Sequence, residues 1–132
     1  MVKIYIRSSE SHKLSSYSYS MLRDGVEIFN KYVVFTDKDR SNYKMLLLGA
    51  LDAAEECLQS GITEICIISN DQNIEEGINN SEKKLKRAIR GEFVNSQEWI
   101  NLLNCFKAFK HVESEIANPK ILKQKNLKQL NA

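Results

Sequence analysis

Ser69, Asn70 and Asp71 form a polar corner in the stretch ICIISNDQNIEEGI, residues 65–78, between an apolar run and a run of helical polarity. A carboxylate at the end of a buried strand suits general-acid work or a hard divalent cation, and Asp71 is the acid of this corner. Further on, Lys83, Lys84, Lys86, Arg87 and Arg90 crowd the segment 83–90, and Lys120, Lys123, Lys125 and Lys128 follow in a tail with no acid from Ile116 onward. Cations at that density neutralise phosphates and make binding to nucleic acid salt dependent; the competing reading is a solvated helix face. His12 and His111 lack ligand partners at metal-binding spacing, and Cys57, Cys66 and Cys105 are spread singly with no CxxC pair. That pattern argues against a metal site and against a disulfide framework, and it predicts free thiols in a reducing compartment.

The elements that must hold these residues fit one domain, because 132 residues at 42% hydrophobic bury a single core of ordinary size. A net charge of +2 excludes a strongly basic, histone-like chain, so any nucleic-acid role rests on local charge. No apolar run approaches the roughly 18 residues of a membrane span, which predicts a soluble, intracellular protein. VKIYI, residues 2–6, reads as a strand, and RSSESHKLSS after it as a polar loop. YSYSML (17–22), the turn RDG and VEIFNKYVVF (26–35) complete a meander of three antiparallel strands. Leu47, Leu51, Ala54 and Leu58 then recur at helical spacing, with Gly61 as the stop. EICIIS reads as a central strand, and QNIEEGI, SEKKLKRAIRG and NSQEWINLLNCFKAF as helices. HVESEI reads as a last strand, and NPKILKQKNLKQL as a basic C-terminal helix and tail over about 118–132. Trp99 shares a helical face with Leu102, Leu103 and Phe106, so it reads as a core anchor and not as a base-stacking platform. The expected fold is α/β: a mixed five-stranded sheet, three antiparallel strands plus two helix-linked strands, with helices on its faces.

This order and four local strings resemble the ribonuclease H family. SNDQNIEEGI is similar to the family's TDSQYVxxGI corner through Ser69, Gln72, Gly77 and Ile78. SNYKMLLLGALDAA is similar to its NNRMELMAAIxAL helix through Asn42, Met45, Leu47, Ala50 and Leu51. NSQEWINLL follows NxDLWxxL through Asn95, Trp99 and Leu102, and VKIYIRSS lies where the family has VxIYTDGS. The resemblance implies a ribonuclease H-like fold over nearly the whole chain. In that family, clustered carboxylates hold two divalent ions that cut the RNA strand of an RNA/DNA hybrid. Carried over position by position, the acids are missing: they fall on Arg7, Leu46, Asn70 and, in the tail, Lys125. Asp71 is the substitute nearest to hand, although one step along a strand normally turns a side chain to the other face.

The expectation is therefore a pseudoenzyme, a ribonuclease H-like module without metal or other cofactor. It binds RNA/DNA hybrid or another duplex through Arg7, the cations of 83–90 and those of the tail. Arg7 has a second reading as the partner of Asp71 or another nearby carboxylate in an ion pair, and Leu46 reads as packing that seals the former cleft. In place of the family's glycine-rich loop stands SSESHKLSS, which weakens any discrimination of RNA from DNA. Two alternatives remain open. One is a protein-interaction scaffold in a replication, reverse-transcription or viral complex. The other is a residual magnesium- or manganese-dependent nuclease using Asp71 with Asp52 or Glu113.

Overall fold

The computed structural model describes residues 1–10, 14–36 and 41–125, the last three by backbone alone. The elements run β1 (Val2–Glu10), β2 (Ser15–Arg23), β3 (Val26–Phe35), α1 (Asn42–Gln59), β4 (Glu64–Ser69), α2 (Gln72–Asn79), α3 (Ser81–Ile89), α4 (Ser96–Phe106), β5 (His111–Ile116) and α5 (Pro119–Lys125). The strands form one sheet in the order β3-β2-β1-β4-β5. β1, β2 and β3 pair antiparallel, whereas β4 lies parallel to both β1 and β5. This is the mixed five-stranded α/β sheet that the element order predicts.

Local chemistry accounts for the joints. Asp24 and Gly25 both take positive φ, 52° and 79°, the backbone of a tight hairpin whose twist matches the strands it joins. Ser41 caps α1 by accepting from the Lys44 N–H at 3.2 Å. At its other end Gly61 adopts φ 75°, while Ile62 N–H reaches Cys57 O at 2.8 Å and Gly61 N–H reaches Leu58 O at 3.1 Å. That pair of bonds closes the helix as a Schellman turn.

Two sequence expectations need correction. The stretch RSSESHKLSS is largely strand, not loop: β1 continues to Glu10 and β2 begins at Ser15, with Arg7 opposite Ser18 and Ser9 opposite Ser16. Its polar side chains hid the pairing, because small serines pack closely between longer neighbours, and Ser16, Ser18 and Ser20 are all buried. The buried stripe of α1 is also rotated from the predicted one. Met45, Leu46, Leu47, Ala50, Ala53, Ala54 and Cys57 are buried, while Leu51 and Leu58 are only partly so. α1 packs against both the sheet and α4, and small alanines let the backbones approach.

The main core lies between the sheet and α1, α2 and α4, with Ile4, Ile6, Tyr19, Ile65, Ile67, Leu102 and Trp99 fully buried. Trp99 is thus the anchor predicted for it. A smaller cluster of Cys66, Ile68 and Leu122 occupies the other face under α5. Among the described residues no helix is long and apolar enough to cross a membrane.

Candidate functional site

β1 and β4 are parallel neighbours, but the chain leaves β1 toward β2 and leaves β4 toward β5, on opposite sides. A crevice opens outside the carboxyl ends of parallel strands at such a switch point. Here it is a cleft of about 330 Å³. β1 supplies Arg7 and Ser8, the corner after β4 supplies Asn70 and Asp71, the first turns of α1 supply Asn42, Tyr43 and Leu46, and α5 supplies Pro119 and Leu122. Three of the four positions where the family resemblance expects an acid, Arg7, Leu46 and Asn70, therefore meet in one place. The side chain of Lys125, the fourth, and those of Lys123 and Lys128 lie outside what the structure describes, as does His12.

Each lining residue is fixed by its element. Leu46 is buried at 4% exposure and forms an apolar wall. Asp71 reaches the cleft because the chain turns out of β4 directly into α2. It is the N-cap of that helix, its Oδ1 accepting from Ile74 N–H at 3.0 Å, and its own N–H donates to Ser69 Oγ at 3.3 Å. The Arg7 side chain is half-buried, and its Nη1 is buried with no hydrogen-bond partner. Among the described residues no ion pair joins Arg7 to Asp71, so the pairing that the sequence allowed does not form.

The acids of the residual-nuclease alternative are dispersed. Asp52 sits beyond the cleft on α1, accepting from the hydroxyls of Tyr17 and Tyr19, and it pairs with Lys31 Nζ at 3.1 Å. Glu113 lies on β5, where its Oε1 is 3.3 Å from His111 Nε2. Among the described residues Asp71 is the one carboxylate lining the cleft.

The cations of α3 are unequal. Lys84 Nζ donates to Asn73 Oδ1 at 3.1 Å and lies 3.9 Å from the centre of the Phe93 ring and 4.7 Å from that of Trp99. Burial, and then the nearby Arg87, lower its pKa from the ordinary lysine value. Asn73 Oδ1 also accepts from the Tyr43 hydroxyl at 2.8 Å, and that oxygen accepts from Trp99 Nε1 at 2.7 Å. A polar chain thus runs from α3 through α2 to the wall of the cleft. Arg87 and Arg90 both pair with Glu92, at 3.2 and 3.4 Å. Lys83 and Lys86 are exposed and have no ion pair among the described residues, and Lys120 is exposed on α5 beside the cleft. The five cations of 83–90 are therefore not one uniform patch, because aromatic packing and Glu92 engage three of them.

Sequence reasoning also missed a grouping on the α5 side of the sheet. The pairing of β4 with β5 sets Cys66 opposite Glu113, and ligand atoms of Cys66, Glu113 and Glu115 lie within 4.8 Å of one another. Burial, reinforced by Glu115 and Glu113, pushes the Cys66 thiol up to about 12. Spacing along the chain carries no trace of a grouping made by strand register.

No family model matches the sequence, and no curated protein matches it. Solved structures do. Ribonuclease H1 from the halophilic archaeon Halobacterium salinarum superposes with a TM-score of 0.72 at 11% identity, over 92% of this chain and 89% of that one. The LC11 ribonuclease H1, solved in complex with RNA/DNA hybrid, gives 0.71 at 9% identity, over 94% and 90%. The prototype foamy virus protease-reverse transcriptase gives 0.71 at 10% identity; the match takes in 96% of this chain but 19% of that much longer one. Likeness at this level of identity speaks to architecture, and the architecture is unambiguous: this chain has the ribonuclease H-like fold.

Proposed function

We propose that this chain is a ribonuclease H-like module that binds nucleic acid, RNA/DNA hybrid or another duplex, without cutting it. The observation that carries the reading is the donor set of the cleft. A pair of divalent ions requires several anionic oxygens within reach, and among the described residues this cleft offers one carboxylate, already engaged as a helix cap, beside a guanidinium. These residues do not fit a divalent metal, since a fixed cation repels one. Loss of the metal, and with it loss of cleavage, follows from that mismatch.

Binding draws support from the exposed Lys83, Lys86 and Lys120, and from the hybrid complex of the LC11 enzyme, which shares this architecture at 9% identity. The buried, unpaired thiols of Cys57 and Cys66 favour an intracellular setting. A second reading, a protein-interaction scaffold, is favoured by the exposed Val26, Ile28, Tyr32 and Val34 along the edge strand β3.

A labelled RNA/DNA hybrid titrated at two salt concentrations with magnesium present, followed by a denaturing gel of the same samples, separates the readings. Salt-sensitive binding with an intact strand is the expected result. Cleavage would overturn the inactive part of the reading, and absence of binding at low salt would leave the scaffold.

A further inference from the structure

We infer that the cleft is a phosphate seat built on Arg7, one that takes a backbone phosphate of the bound duplex with no divalent cation between them. This rests on the nucleic-acid-binding reading and names the group that enters the cleft. The first ground is the unsatisfied donor. A buried guanidinium nitrogen with no partner costs free energy that an anion of matching shape recovers, and Arg7 Nη1 is such a nitrogen. The second is position: the cleft lies outside the carboxyl ends of β1 and β4, where the divergence of the chain leaves room for a ligand. The third is its lining. Ser8, Asn42 and Asn70 bring a hydroxyl and two amides to the same space, all able to donate to phosphate oxygens. Leu46 and Leu122 form apolar walls, which lower the local dielectric and strengthen the attraction between a guanidinium and an oxyanion.

The opposing term is Asp71, whose charge repels an anion. Its Oδ1 is turned into the cap of α2, and an asparagine caps a helix about as well as an aspartate. Asp71→Asn therefore removes the repulsion and keeps the cap, while Arg7→Gln removes the attraction and keeps a polar side chain of similar reach.

The experiment measures the affinity of the wild-type chain, Arg7→Gln and Asp71→Asn for an RNA/DNA hybrid in EDTA over a series of salt concentrations. Arg7→Gln is expected to lower the slope of log K against log salt by about 0.9, the share of one phosphate, and to weaken binding roughly eightfold near 0.1 M salt. Asp71→Asn is expected to tighten it. If the wild type binds and Arg7→Gln leaves slope and affinity unchanged, the phosphate seat is overturned while the nucleic-acid reading stands. Should Arg7→Gln fail to fold, Arg7→Lys serves instead; it keeps the charge but loses the two-pronged geometry, and unchanged affinity for it overturns the bidentate grip.

A second arm uses inorganic phosphate alone, comparing melting temperatures in phosphate and in chloride at equal ionic strength. A rise in phosphate for the wild type that is absent in the Arg7 variant supports the seat even if the hybrid does not bind. An equal response in both proteins, or none, overturns it.

Discussion

The phenol of Tyr19, in the middle strand of the meander, donates to Oδ1 of Asp52 on α1 at 2.8 Å, and Tyr17 donates to the other oxygen of the same carboxylate. One side chain thereby ties the helix to β2, and through Lys31 to β3 as well. Asp52→Ala should cost roughly 2–4 kcal/mol, because it strands two largely buried hydroxyls, whereas Tyr19→Phe should cost only about 1 kcal/mol. Urea denaturation of both variants checks the ordering.

The same cluster sets an alkaline limit. Burial, with the bonds to Asp52 next, raises both phenols above the ordinary tyrosine value. A folded-state pKa above the unfolded one means that the native chain holds its protons longer. The stabilisation is complete below about pH 10 and is lost as pH climbs past it. Melting temperature should therefore fall above pH 10 more steeply in the wild type than in a Tyr17→Phe/Tyr19→Phe double variant.

Gly77 faces the ring of Trp99 so closely that an added Cβ would lie 2.5 Å from its Cη2. Trp99 is fully buried and bonded to Tyr43, so the ring has nowhere to go. Gly77→Ala, which in an open helix stabilises by about 1 kcal/mol, should here destabilise by roughly 1–3 kcal/mol. Tryptophan fluorescence during denaturation reports both the loss and its location.

The cations of α3 should separate by role. Lys83→Ala/Lys86→Ala should leave the melting temperature unchanged and lower the salt slope of hybrid binding by about 1.8, two phosphates' worth. Lys84→Ala should instead lower stability by about 1 kcal/mol, since its ammonium rests on Phe93 and Trp99. Calorimetry and binding titration on the same samples check the split.

Cys57 and Cys66 should resist alkylation at pH 8. Both thiols are buried and pushed up to about 12, so almost none is thiolate. Mass spectrometry after iodoacetamide should find them unmodified in the native chain and fully modified in denaturant.

The order of elements was readable because each carries its own local signal: the Asp24-Gly25 turn, the Gly61 stop, and the apolar period of α1. The cleft was readable only through family resemblance, which lined up Arg7, Leu46 and Asn70. What the sequence hid were relations between elements. The extension of β1 to Glu10 depends on what β2 offers across the ladder, and polar composition gives no hint of it. The tether at Asp52 depends on the angle at which α1 crosses β2. The division of labour among the cations of α3 depends on Phe93 and Trp99 lying under Lys84, contacts made by the loop and the helix that follow later in the chain.

The parallel pairing of β1 with β4 has a consequence for the order in which the molecule comes into being. β1, β2 and β3 are joined by short connections, so their contacts close small loops and can form early; Val2 must wait for Ile65. On a ribosome the meander and α1 can assemble while β4 is still unmade. The cleft cannot, because Arg7 belongs to β1 and Leu122 to α5, the first and the last of the described elements. Its walls are therefore completed only once α5 has been made.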